Sequence, residues 1–290
     1  MLRQRVPSAI VIVIVAVVPA VLAHPVLTIA LIALASLGIA EFGRAVATTG
    51  VRMLSWPVIV LATILIALTG ADESPRYLVA TVVLGSILLF LGTIWRGIIE
   101  GSTRDYAYSI GALLYIGLPL AHMPLIRLHG DNDVAGWLQT VNDWALTSAP
   151  AAGLGWLVLI VAATWMTDSA AYLGGRAFGK NKLAPTLSPG KTVEGGISGL
   201  IFGALTGVVV TALLGLPIPL YVGAGLGLIL SVLGQAGDLA ESLIKRDLGI
   251  KDMGNVIPGH GGILDRIDAL LFTLPAGFYL ILLATEVNWP

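Results

Sequence analysis

The chain has 290 residues, 57% of them hydrophobic and only 11% Asp, Glu, Lys or Arg, against about 25% charged residues in ordinary soluble proteins, so it cannot furnish a water-facing surface. Sixteen basic and 17 acidic residues give a net charge of −1, without the cationic excess of a nucleic-acid binder. Cysteine is absent, which excludes disulfides, thiolate metal sites, iron–sulfur clusters and a cysteine nucleophile.

What remains is an all-α, polytopic integral membrane protein. A helix needs about 20 mostly apolar residues to cross the hydrocarbon layer. Nine segments qualify in chain order: 7–23, 25–40, 56–70, 77–95, 106–121, 153–172, 196–215, 220–235 and 267–285. The first also has the look of a cleaved signal peptide, with Arg3 and Arg5 before an apolar run that ends in Val21-Leu22-Ala23. With a cytoplasmic N-terminus and nine alternating spans, fourteen basic residues fall inside: Arg3, Arg5, Arg44, Arg52, Arg96, Arg104, Arg176, Lys180, Lys182, Lys191, Lys245, Arg246, Lys251 and Arg266. Only Arg76 and Arg127 fall outside. That asymmetry fixes the orientation and supports the span count, because dropping one span would invert every later loop.

The chain then divides at about residue 150. Residues 1–150 hold spans one to five and an outside loop, 122–150. Residues 151–290 hold spans six to nine with two long cytoplasmic loops, 174–195 and 237–266, both rich in charge and glycine. A helical hairpin joins these loops, so both lie on one membrane face. In that hairpin Gly195, Gly199, Gly203 and Gly207 recur every four residues, and Gly223 and Gly227 repeat the spacing. Such a ridge lets a neighbouring backbone approach closely, within the chain or in a homodimer.

The densest polar run starts at Gly237-Asp238 and ends at Arg266-Ile267-Asp268. If the eighth span continues as a helix past Gly237, Asp238, Glu241, Ser242 and Lys245 share one face. Asp265 and Asp268 are three apart where the ninth span begins. Carboxylates from two elements then converge at the membrane boundary, and hard oxygen ligands in this number suit Mg²⁺, which takes one or two carboxylates and completes its shell with water and phosphate. Zinc lacks its usual donors here. Aspartates that enter a span are costly and mark function, which also singles out Asp168, beside Ser169 in the sixth span. Gly261 and Gly262, next to His260, would let the backbone come close to a phosphate. In the other loop, Gly190-Lys191-Thr192 resembles the end of a phosphate-binding loop, but Pro185 stands where that loop needs glycine and no strand precedes it. A lysine and two hydroxyls, Ser188 and Thr192, remain at a helix N-terminus, a place that suits phosphate oxygens.

The run Ser242-x-x-Lys245-Arg246, Lys251-Asp252, His260-Gly261-Gly262-x-x-Asp265-Arg266-x-Asp268 resembles the signature of the phosphatidate cytidylyltransferases, or CDP-diacylglycerol synthases. Eleven letters at fixed spacing arise by chance at a given site with a probability on the order of 10⁻¹⁴, far beyond a short motif. The likeness continues upstream through Asp168-Ser169-Ala170-Ala171-Tyr172, Gly175-Arg176-x-Phe178-Gly179-Lys180 and the loop from Ser188 to Gly195, and covers about the last 130 residues. Gly190 stands where the family often has lysine, and Val193 where tryptophan is common.

The resemblance implies transfer of CMP from CTP to phosphatidate in phospholipid biosynthesis, giving CDP-diacylglycerol and diphosphate at the inner face of the cell membrane. It implies Mg²⁺ on Asp238 and Asp265, with room for a second cation shared with Asp268. Lys245, Arg246, Lys251 and Arg266, with His260, become the catalytic groups around the leaving diphosphate. Asp168, Ser188, Lys191, Thr192, Glu194, Ser242, Gly261 and Gly262 become the groups that hold nucleotide or lipid phosphate, while the acyl chains stay in the bilayer. The rivals are a CTP-dependent lipid kinase or another CDP-lipid transferase, and, from a different class, a secondary transporter. A transporter would need ionisable groups at mid-bilayer and inverted repeats, and spans two to five carry no charge deep in the membrane by the boundaries above.

Overall fold

The computed structural model describes residues 17–72, 74–254, 256, 261–287 and 289. In chain order it contains α1 (Val26–Ala47), α2 (Ser55–Ala71), α3 (Arg76–Trp95) and α4 (Ser102–Ala112), which runs through a π-helical turn (Leu113–Gly117) into α5 (Leu118–Leu128). Then follow α6 (Gly136–Trp144), α7 (Ala151–Phe178), an antiparallel hairpin of β1 (Lys182–Ala184) and β2 (Ser188–Thr192), α8 (Val193–Leu214), α9 (Leu220–Asp247) and α10 (Leu264–Glu286). Among the described residues seven helices are long and apolar enough to cross a membrane, taking 102–128 as one, and α2 is a shorter apolar helix. The chain is thus an all-α, multi-pass membrane protein. Eight of the nine expected spans coincide with helices; most of the first, 7–23, lies outside the described residues.

The helices run further than hydropathy predicted. α7 continues to Phe178 rather than ending near 172, α9 to Asp247 rather than 235, and α1 to Ala47 rather than 40. Glycine explains the first two. A glycine inside a helix costs about 1 kcal/mol relative to alanine, but here it serves close approach. A Cβ at Gly174 would collide with the Ser198 side chain, and one at Gly237 would come 2.8 Å from the Asp268 carbonyl oxygen. The two loops expected on the cytoplasmic side therefore shrink to the β-hairpin with its flanks and to the stretch between α9 and α10. The loop 122–150, expected outside, likewise includes the end of α5 and all of α6.

By contact the chain forms two compact units, each discontinuous: Met1–Leu125 with Asp247–Ile267, and Ile126–Arg246 with Asp268–Pro290. This differs from a single division at residue 150, because the segment after α9 joins the first unit.

In the first unit the turn between α1 and α2 is pinned to α4. Asp105 accepts a hydrogen bond from the Arg52 backbone N–H at 2.8 Å and pairs with its Nε at 3.3 Å, and Leu54 N donates to Ser109 Oγ at 2.9 Å. Small residues set the helix spacing: a Cβ at Gly117 would lie 3.0 Å from that of Ala62, and one at Gly85 would lie 3.2 Å from Leu61 and Leu113.

In the second unit the glycine ridge of α8 is used within the chain. A Cβ at Gly207 would strike the Gly223 carbonyl, and one at Gly227 would strike the Gly203 carbonyl, so α8 and α9 meet backbone to backbone. The same ridge also packs on α7, where a Cβ at Gly199 would sit 3.0 Å from Thr167 O. Buried hydroxyl pairs tie α7 to its neighbours: Thr167 to Ser231 of α9 at 2.7 Å, and Thr164 to Thr273 of α10 at 3.1 Å. At the opposite end of α7 from Asp168, the buried Arg127 donates to Pro150 O and to Asn142 Oδ1, closing the α5–α6–α7 connection.

The ridge makes a direct test. Gly207→Ala should lower the thermal midpoint of the protein in detergent, since overpacking costs about 1–3 kcal/mol. Gly225→Ala, on the same helix as Gly223 but with nothing within 4 Å of its Cβ position, should leave the midpoint unchanged or raise it.

Candidate active site

The second unit gathers the charged side chains that the sequence singled out on separate elements. Because α9 stays helical through Asp247, Asp238, Glu241 and Lys245 fall on one face, and Lys245 Nζ lies 3.4 Å from Glu241 Oε1, one turn earlier. Glu241 is fully buried. β2 delivers Lys191, whose Nζ is 2.6 Å from Asp238 Oδ2. α7 contributes Asp168, which senses the charges of Asp268, Asp238 and Lys191. α10 contributes Asp268, which lies near enough to Glu241, Asp238 and Lys245 to interact electrostatically with them; its Oδ1 also accepts the Ala269 N–H at 2.8 Å. Four carboxyl groups face two ammonium groups in this set, a formal excess of two negative charges. Ser242, on α9, is buried beside them in sequence.

The hairpin that presents Lys191 is built by residues expected to bind substrate. Thr192 is the N-cap of α8, its Oγ1 accepting the Gly195 N–H at 3.1 Å. Glu194, in the first turn of α8, accepts from Lys180 N at 3.0 Å, Asn181 N at 3.2 Å and Asn181 Nδ2 at 2.7 Å. One carboxylate thus pins the chain after α7 to the start of α8. Ser188 opens β2 opposite Ala184 and is half-buried. Arg246 of α9 donates through Nε to Leu187 O at 3.3 Å, so the tip of the hairpin is held to the helix that carries Asp238.

The remaining signature residues belong to the first unit. Asp265 Oδ2 accepts the backbone N–H groups of Met253 and Gly262, each at 2.9 Å. Gly261 has a φ of +83°, a conformation that favours glycine. Lys251, Asp252 and Arg266 are exposed. His260 lies outside the described residues.

Sequence reasoning missed Glu41. Ending the second span at residue 40 placed Glu41 in a loop, whereas α1 runs to Ala47 and buries it to 1% exposure. Its Oε2 accepts the N–H groups of Ile263 at 2.8 Å and Leu264 at 3.2 Å. The available signal was a lone acid flanked by Ala40 and Phe42 in an apolar run, a pattern that marks function by default. Glu241 was placed on the right face but given no role.

Among the described residues no group of three or more His, Asp or Glu side chains stands ready to hold a metal ion alone. Mg²⁺ does not require one, since it is commonly held by one or two carboxylates and by substrate phosphates. The carboxylate oxygens of Asp238 and Asp268 are donors of the kind that ion takes.

The profile of the Cytidylyltransferase family matches residues 3–284. The chain belongs to that family. It is 44% identical over 131 residues to the phosphatidate cytidylyltransferase of Bacillus subtilis, across 45% of this chain and 49% of that protein. It is 45% identical over 123 residues to the enzyme of the same name from Staphylococcus saprophyticus, and 44% over 123 residues to that of Staphylococcus aureus, across 42% of this chain and 47% of each relative. The match therefore spans about half the length of these curated relatives.

The Lys245–Glu241 pair yields a stability test. Lys245→Ala removes the ammonium partner of a fully buried carboxyl and should destabilise the protein by roughly 3 kcal/mol. Adding Glu241→Gln should recover roughly half of that loss, since residues in contact couple strongly. Unfolding of the two variants in detergent, followed by tryptophan fluorescence, measures both effects.

Proposed function

We propose that the protein transfers the cytidylyl group of CTP to phosphatidate, releasing diphosphate and forming CDP-diacylglycerol. The observation that supports this best is the set of Asp168, Lys191, Asp238, Glu241, Lys245 and Asp268, contributed by α7, β2, α9 and α10. The attacking group is a phosphate monoester with a second pKa of about 6, already largely ionised at neutral pH, so no strong general base is required. An oxygen of phosphatidate bonds to the α-phosphorus of CTP while the bond from that phosphorus to the α–β bridging oxygen breaks, and the electron pair leaves with diphosphate.

The task of the protein is to bring two anions together in line and to offset the charge that builds on the leaving group. Asp238 and Asp268 are the residues we assign to Mg²⁺, which when bound neutralises the triphosphate and draws the reacting phosphates together. Lys191, carried by a hairpin fastened at both ends, places its ammonium beside Asp238, where it can meet a phosphate oxygen. Lys245, oriented by Glu241, supplies a second ammonium one helical turn further along α9. The membrane-embedded helices leave the acyl chains in the bilayer while the headgroup reaches this set.

Turnover with CTP labelled at the α-phosphate should carry label into the lipid fraction in the presence of phosphatidate and Mg²⁺. Chelation should abolish it. Label entering the lipid from the γ-phosphate instead would indicate a lipid kinase. Asp238→Asn and Asp268→Asn should each lower kcat by roughly 1000-fold, because several kcal/mol of transition-state stabilisation is lost at about tenfold per 1.4 kcal/mol. Activity near that of the parent in either variant would remove that residue from the metal site.

We also propose that this set faces the cytoplasm, as the distribution of basic residues requires. The native chain has no cysteine, so Gly190→Cys on the exposed hairpin and Asp133→Cys beyond the other end of α7 can report sidedness. An impermeant thiol reagent should label only the second in intact cells. Labelling of the first from outside would overturn the orientation.

A further inference from the structure

We infer that Glu41 is a positioning residue for the reaction: its buried carboxyl, delivered by α1, holds the first turn of α10 and so sets the start of the helix that carries Asp265 and Asp268. The inference rests on the cytidylyl-transfer reading above, and concerns a segment to which that reading gave no role.

The first backbone N–H groups of a helix have no partner within the helix, and the residues before α10, Gly261, Gly262 and Ile263, offer no side chain that could cap it. Two carboxyl groups take that place. Asp265 reaches back to Gly262 N, and Glu41 Oε2 takes the N–H groups of Ile263 and Leu264. The partial positive charge of a helix N-terminus favours both. Asp265 is local to the turn. Glu41 is 222 residues away from Ile263, so its bonds fasten α10 to α1.

The surroundings are shaped to this carboxyl. A Cβ at Gly254 would collide with Glu41 Oε1, and one at Gly262 would lie 2.8 Å from Oε2 and 2.7 Å from Gly254 N. One turn earlier on α1, a Cβ at Gly38 would come 3.0 Å from Leu264 Cδ2. Three glycines thus allow Glu41 to reach backbone N–H groups from inside an apolar helix. Burial of a carboxyl is costly unless hydrogen bonds repay it, and a simple helix end needs no such device when a local serine would serve. A helix whose aspartates must be set to within a fraction of an ångström does need one, because any shift or rotation of its first turn carries Asp265 and Asp268 along.

The test compares wild type with Glu41→Ala, Glu41→Asp and Glu41→Gln, all purified in detergent, by steady-state kinetics and by hydrogen exchange of the peptide 261–267. Glutamine keeps the length and a carbonyl oxygen that accepts both N–H groups; aspartate is one methylene too short. The Ala and Asp variants should lose at least about tenfold in kcat with KM for CTP and phosphatidate within about threefold of wild type, and exchange in 261–267 should quicken. The Gln variant should stay within about threefold of wild type in kcat, with exchange unchanged. Wild-type kcat in Glu41→Ala, a loss that appears only as a raised KM, a Gln variant as impaired as Ala, or unaltered exchange in the Ala and Asp variants would each overturn the assignment. Should Glu41→Ala not assemble, the Asp and Gln variants carry the same opposed expectations. Wild-type protein that makes no CDP-lipid would defeat the cytidylyl-transfer reading, a result distinct from any contrast among the variants.

Discussion

A carboxyl group beside hydrocarbon has to be met by a cation or by N–H groups, and most of the polar architecture follows from that requirement. Asp105 is met by Arg52, Glu194 by the backbone of Lys180 and Asn181, Glu41 by the first turn of α10, Glu241 by Lys245, and Asp238 by Lys191. Each of these contacts joins segments or turns that hydropathy alone would leave independent. In the second unit the set around Asp238 holds one more pair of carboxyl groups, Asp168 and Asp268, than its two lysines, Lys191 and Lys245, balance. That formal excess of negative charge is held at the ends of apolar helices.

Several signature residues also build the local structure. Thr192 caps α8, Glu194 fastens the hairpin, Asp265 closes the first turn of α10, and Gly262 yields space to Glu41. Lys191 depends on them: its ammonium reaches Asp238 only because the N-cap, the Glu194 bonds and the Arg246 contact to Leu187 together hold the strand in place.

Hydropathy located the helices but not their ends. Gly174 and Gly237 read as breaks in sequence because glycine is a poor helix former, yet both lie inside helices, where the missing side chain admits a neighbour. Periodicity was more informative once a helix was assumed: the spacing of Asp238, Glu241 and Lys245 gave their common face correctly. The ion pair between Lys191 and Asp238 was not legible, since nothing in a glycine- and proline-rich loop indicates a two-stranded hairpin or its distance from a helix 47 positions later. Glu41 was obscured by a boundary drawn seven residues before the end of α1, which turned a buried group into a loop residue.

One feature of α9 reaches beyond packing. Gly223, Gly227, Ser231, Gly234, Asp238, Glu241 and Lys245 follow one another at intervals of four or three residues, so a single stripe along the helix changes from small to charged without leaving its line. Its first half meets α8 and α7 through bare backbone and a hydroxyl; its second half bears the charged groups Asp238, Glu241 and Lys245. The two halves are in phase. One residue inserted or deleted between Gly227 and Asp238 would turn the charged half by about 100° relative to the packed half, whereas a change of seven would nearly restore the alignment. Divergence among related chains should accordingly spare the length of this interval even where it alters the identity of the residues within it.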